Sequence, residues 1–159
     1  MRRRRRRPHE EVVDAPLHVL DRWVRNIEHG RFERSLSALT AVGAAITGAE
    51  IWLEHDRASF GNRMMWAPLV VTPLVAAAGI GGVTSKRVAK TALPVTSALL
   101  VANGLQGTYL HVRGIAQRPG GWSLARYNAE MGPPLFAPLL ACMVGGMGLL
   151  AAVLRREPG

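Results

Sequence analysis

Four long apolar stretches dominate this chain and constrain its fold more than any other feature. They cover about residues 36–53, 64–83, 91–111 and 132–154, and short polar segments separate them. A helix of about 20 residues crosses the roughly 30 Å hydrocarbon core of a bilayer. Lipid offers no hydrogen-bond partner to a peptide group, so such a stretch has to be helical. The sequence therefore predicts an all-α integral membrane protein, with a four-transmembrane-helix bundle over residues 34–156.

The segment before the bundle is polar and falls into two parts. Residues 1–15 carry the arginine run 2–7, and their composition predicts a basic, disordered tail. Over residues 16–30 apolar side chains recur at helical spacing between charged ones, which predicts an amphipathic helix lying in the membrane interface. These apolar positions are Leu17, Leu20, Trp23, Val24 and Ile27.

The distribution of positive charge predicts the orientation in the membrane. Fifteen of the twenty Lys and Arg residues precede the first stretch, follow the second or follow the fourth. An excess of basic residues marks the cytoplasmic face, so both termini should be cytoplasmic. Most of the net charge of +9 then lies on the cytoplasmic side and faces anionic lipid, and we expect no nucleic-acid partner. The predominance of arginine over lysine, with abundant Ala, Gly and Pro, indicates a GC-rich bacterial genome and hence the bacterial cytoplasmic (inner) membrane.

Glu50 is the ionisable residue that lies well within an apolar stretch. It belongs to a polar stripe of the first helix that also contains Ser37, Thr40, Gly43, Thr47 and Glu54. A buried carboxylate turns inward to a donor, and the third stretch offers Asn103 and Gln106 at the same depth. The sequence predicts a polar intramembrane cluster of Glu50, Asn103 and Gln106, with a hydrogen bond from one of the amides to Glu50.

Two histidines end neighbouring stretches on the predicted outer side. His55 ends the first stretch and His111 ends the third. Imidazoles on two facing helices can ligate one haem iron from opposite sides, so both are candidate axial ligands of a haem b. The same region could also bind a quinone.

The predicted outer loop, residues 112–131, contains a turn at Arg118-Pro119-Gly120-Gly121-Trp122. Its candidate interface residues are Trp122, Arg126, Tyr127 and Asn128. Aromatic residues of this kind sit at lipid headgroups or in protein interfaces, and both interpretations stay open.

No nucleophile set, haem-attachment motif or phosphate-binding loop occurs, and Cys142 is the single cysteine. We therefore expect a non-catalytic protein without a metal site, acting as an anchor or accessory subunit of a larger bacterial membrane complex. Its partners would be the bilayer and other membrane subunits or further copies of itself. One alternative is an electron-transfer subunit that binds haem b or quinone. A second is a small transporter or channel lined by the Glu50 stripe.

Overall fold

A computed structural model describes residues 24–25 and 31–155, and their regular structure is helical throughout, without a strand. We number the α-helices of the continuous part in chain order. They are α1 (Arg31–Arg57), α2 (Trp66–Thr84), α3 (Lys86–Lys90), α4 (Ala92–Ala116), α5 (Ala125–Glu130) and α6 (Ala137–Leu154). Short 3₁₀ helices at Arg63–Met65 and Gly121–Leu124 precede α2 and α5. The prediction of an all-α chain with four helices long and apolar enough to cross a membrane is confirmed for this part.

The four long helices form a ring in the order α1, α2, α4, α6. Each packs against the helices on either side of it, and α6 closes the ring against α1. Consecutive long helices are therefore neighbours, as short connections require, while α1 and α4 lie diagonally across the bundle. We call the end that contains His55 and His111 the histidine end, and the other end the Arg155 end.

Small residues bring the helix backbones close together. An added Cβ on Gly79 of α2 would lie 2.8 Å from the Ser37 carbonyl oxygen of α1. On α6, a Cβ on Gly145 would lie 2.7 Å from the Ser97 carbonyl oxygen of α4. Helix contacts inside a membrane depend on such small side chains. The small residues of α6 that are buried include Ala141, Gly145, Gly148 and Ala152.

Most prolines of the bundle lie near helix ends, whereas Pro73 lies inside α2. Pro68 and Pro94 lie in the first turns of α2 and α4, where a missing N–H costs nothing. Because proline suits the first turn of a helix, the sequence predicts Pro133 and Pro134 in the first turn of the fourth helix. This prediction is wrong, because α6 begins only at Ala137. A proline restricts the residue before it to extended backbone, so two in succession delay the helix, and Pro138 lies in its first turn instead.

Cations cap two helix C-termini at the Arg155 end. Arg155 is 2% exposed and donates from Nη1 to the Gly82 carbonyl oxygen at 2.6 Å, in the last turn of α2. Lys90 donates from Nζ to the Ala152 carbonyl oxygen at 2.7 Å, in the last turn of α6. Glu33 is fully buried in the first turn of α1, where the helix dipole favours an anion. The charges at this end thus complement the helix termini.

The predicted tail over residues 1–15 lies outside the described residues. So does the predicted amphipathic helix over residues 16–30, apart from Val24 and Arg25, which are helical. Both remain predictions.

Candidate functional site

Two adjoining cavities open at the histidine end of the bundle. The larger has a volume of about 820 Å³ and lies between the histidine-end halves of α1 and α6. The smaller, of about 510 Å³, lies between α2 and α4 and reaches Asn62 and Gln117 near the ends of those helices. They share a wall formed by His55, Pro68, Asn103, Gly107, His111 and Pro133. The histidines thus belong to both cavities, and each cavity has the size of an ordinary ligand pocket.

Backbone carbonyls hold both imidazoles by the same ring nitrogen. His55 Nδ1 lies 2.9 Å from the Met65 carbonyl oxygen, and His111 Nδ1 lies 2.7 Å from the Pro134 carbonyl oxygen. A carbonyl oxygen only accepts, so each Nδ1 carries the proton and donates it. In the neutral ring Nε2 then presents a lone pair, and neither Nε2 has a hydrogen-bond partner within residues 31–155. Metal-binding histidines are held in this way.

The polar stripe of α1 runs from the bundle interior into the larger cavity. Ser37 and Thr40 are fully buried, and their hydroxyls donate to carbonyl oxygens four residues earlier in the helix. Further along, Thr47, Glu50 and Glu54 line the larger cavity. At one end of the stripe the side chains are therefore hydrogen-bonded to the helix backbone, and at the other end they face a cavity.

The expected hydrogen bond between Glu50 and an amide is not formed. Glu50 and Asn103 line the same cavity, whereas Gln106 lines only the smaller one, and no hydrogen bond joins Glu50 to either amide among the residues that the structure describes. Because α1 and α4 are diagonal in the ring, the cavity separates their side chains. The carboxylate is exposed toward this cavity rather than paired.

An apolar layer with residues from all four long helices lies next to the larger cavity. Ala44, Val75 and Leu100 have no exposed surface, and they pack with Ala141 and Val144. Ala141 also lines the cavity. In the described part of the chain, this layer separates the polar histidine end from the buried hydroxyls nearer Arg155. The transporter or channel alternative stays a prediction.

An aromatic cluster that sequence reasoning missed positions the turn beside His55. Phe60 stacks on Trp66 with ring centroids 4.4 Å apart, and Trp52 meets both rings edge to face. Phe60 also contacts the His55 ring at 6.3 Å, and its backbone has a φ of 46°. This cluster fixes the turn that brings the Met65 carbonyl to His55. The high aromatic content near the end of the first stretch is the signal that could have indicated it.

The predicted outer loop is largely helical and is organised by Asn128. This residue is 1% exposed, and its Nδ2 donates to the carbonyl oxygens of Pro119 and Gly121 at 3.1 and 2.8 Å. The turn between them uses Gly120 and Gly121, whose φ values of 77° and 47° favour glycine. Asn128 therefore belongs to the interior of the loop, not to a docking surface. Trp122, Arg126 and Tyr127 are exposed.

No group of three or more His, Cys, Asp or Glu side chains in the described ranges is placed to hold a metal ion. A haem would need only the two histidines, since its porphyrin supplies the other ligands of the iron.

Comparison with known proteins gives no relative from which a function could be transferred. No family model matches the chain, and neither a curated protein nor a solved structure is similar to it. The class that the fold defines is a multi-pass helical protein with four candidate membrane spans. Any finer function rests on the chemistry of the histidine end.

Proposed function

We propose that this chain is a small integral membrane subunit that holds a redox ligand, a haem b or a quinone, at the histidine end of its bundle. The observation that carries the proposal is the pair of histidines on diagonal helices, both lining the shared wall of the two cavities. Each is oriented by a hydrogen bond from Nδ1 to a backbone carbonyl oxygen. Ligand sites in helical bundles are built in this way, from side chains on facing helices.

The uncommitted Nε2 atoms can serve either ligand. A lone pair on each Nε2 is what an axial haem ligand supplies, and it is also an acceptor for a hydroxyl group on a reduced quinone. The protein's contribution is to hold both rings in one tautomer before the ligand arrives. Such preorganisation lowers the entropic cost of binding.

The role in the membrane that fits this site is that of a non-catalytic accessory or anchor subunit of a larger bacterial complex. Its place would be the cytoplasmic membrane, with both termini cytoplasmic and the histidine end outside, as the charge asymmetry favours. The exposed Trp122, Arg126 and Tyr127 on a loop held rigid by Asn128 support a docking role, because interfaces are enriched in these residue types. Chemical cross-linking from position 122 in native membranes would test it: a specific protein adduct is expected, and labelling of lipid alone would contradict it.

The ligand proposal is tested by the protein extracted in mild detergent from its native membrane. A dithionite-reduced minus air-oxidised absorption spectrum detects haem, and chromatography of an organic extract detects quinone. We expect one ligand in stoichiometric amount, and its loss in both His55→Ala and His111→Ala. His29→Ala, which changes a histidine preceding α1, is the matched control and should keep the ligand. Absence of both ligands from the wild-type protein would overturn the proposal.

A further inference from the structure

The larger cavity has an apolar rim that faces sideways out of the bundle. Ile46 of α1 and Leu140 of α6 both line it, and they are 61% and 56% exposed. The two helices are close at Gly43, where an added Cβ would lie 3.1 Å from the Val144 side chain. Beyond this contact, toward the histidine end, the cavity lies between them. In a bilayer the exposed rim would meet acyl chains, so the opening suits a lipid-soluble ligand.

Inside the cavity, uncommitted hydrogen-bond acceptors predominate. The Nε2 atoms of His55 and His111 are acceptors in the neutral tautomer that their Nδ1 contacts set, and Glu50 adds a carboxylate that no described donor engages. Arg57 also lines the cavity; its Nη1 donates to Glu54 at 2.7 Å, and its other N–H groups belong to a side chain that is 74% exposed. The less exposed side-chain donors on the wall are the Asn103 amide and the Thr47 hydroxyl. A ligand that supplies its own hydroxyl donors fits such a wall best.

We propose that the larger cavity binds a lipid-soluble hydroquinone that enters from the bilayer between α1 and α6. The inference rests on the proposed function and selects one of its two ligands. The two hydroxyl groups of a hydroquinone donate, whereas the oxidised ring presents only acceptors, so the reduced form binds more tightly. Its ring lies against the histidines, and its hydrophobic tail leaves between Ile46 and Leu140. At about 820 Å³ the cavity can hold such a ring.

The test measures equilibrium binding to the full chain in lipid nanodiscs, with radiolabelled decyl-substituted dimethoxybenzoquinone in its reduced and oxidised forms. We expect the reduced probe to bind at least tenfold more tightly than the oxidised one. His55→Ala and His111→Ala should each abolish most of this preference. Equal binding of the two redox forms to the wild-type protein would overturn the acceptor argument.

The lateral opening is tested by filling the rim. Ile46→Trp and Leu140→Trp should each weaken binding of the decyl-tailed hydroquinone at least fivefold and leave a tail-free hydroquinone nearly unchanged. The control is Ile80→Trp, which enlarges a 66% exposed residue of α2 that does not line either cavity. Circular dichroism and gel filtration identify any variant that misfolds, and two rim positions keep the test informative if one does.

The outcomes separate this inference from the proposed function. If the tryptophan variants weaken the binding of tailed and tail-free hydroquinone equally, or weaken neither, the proposed entry between α1 and α6 is overturned. Haem bands in the native protein without hydroquinone binding would overturn the inference while supporting the proposed function. The absence of both haem and quinone from the native protein would overturn the inference and the proposed function together.

Discussion

Replacing Gly145 by alanine tests a close contact between α6 and α4 against a control at the adjacent residue. The added Cβ would lie 2.7 Å from the Ser97 carbonyl oxygen and 3.1 Å from the Val101 backbone nitrogen. Both atoms belong to the backbone of α4, which cannot yield without moving the helix. At Gly146 the same Cβ would meet no atom within 4 Å.

The matched pair isolates the cost of overpacking. Each substitution replaces a helical glycine by alanine and gains about 1 kcal/mol of helix propensity. Overpacking a tight contact costs about 1 to 3 kcal/mol, and it applies only at Gly145. We therefore expect Gly145→Ala to be less stable than Gly146→Ala by about 1 to 3 kcal/mol.

The assay is reversible unfolding in mixed micelles of mild detergent and sodium dodecyl sulfate, followed by far-UV circular dichroism. Gly146→Ala should unfold at or above the wild-type detergent fraction, and Gly145→Ala should unfold at a lower detergent fraction than Gly146→Ala. Equal free energies of unfolding for the two variants would refute the packing of α6 on α4 described above.

Three further predictions concern the ends of the bundle and its loop. Arg155→Met removes a buried donor from the Gly82 carbonyl and should lower the free energy of unfolding by about 1 to 3 kcal/mol. Lys90→Met removes a donor nearer to solvent and should lower it by less. The reverse order in the same unfolding assay would contradict the burial of Arg155. Asn128→Ala should make the loop over residues 117–136 susceptible to limited proteolysis. Arg126→Ala changes an exposed side chain and should leave the loop resistant. Equal cleavage of the two variants would contradict the anchoring role of Asn128. In a Cys142→Ser background, Trp122→Cys should react with a membrane-impermeant maleimide in intact cells. Arg87→Cys should react only after the cells are permeabilised. The opposite pattern would contradict the proposed topology.

The helical architecture was predictable because the bilayer leaves a polypeptide few alternatives. Each apolar stretch had to be a helix, and short connections made consecutive helices neighbours. Helix ends were less predictable, since they depend on local chemistry. The third stretch was expected to end at about residue 111, but α4 continues to Ala116, and the pair Pro133-Pro134 delays α6.

The sequence indicated most of the candidate site residues but not their contacts. Depth along the helices placed His55, His111, Glu50 and Asn103 at one end, and the structure finds all four on the wall of the larger cavity. The separation of Glu50 from Asn103 follows from the diagonal placement of α1 and α4, which no single helix pattern encodes.

The histidines' backbone partners were also beyond the sequence. The carbonyls of Met65 and Pro134 come from the turns before α2 and α6, and any residue could supply a carbonyl. Likewise, the position of Arg155 after an apolar stretch predicts an exposed charge. The side chain is instead buried, because α2 ends beside it. Such burial depends on how the helices end against one another.

Native mass spectrometry of the protein released from its own membrane tests the ligand site most directly, because it requires no assumption about which ligand binds. We expect the wild-type protein to carry one noncovalent adduct with the mass of a haem or a quinone. His55→Ala and His111→Ala should lose it, and His29→Ala should retain it. A wild-type spectrum showing only the bare chain, or an adduct indifferent to both histidines of the bundle, would contradict the proposed ligand site.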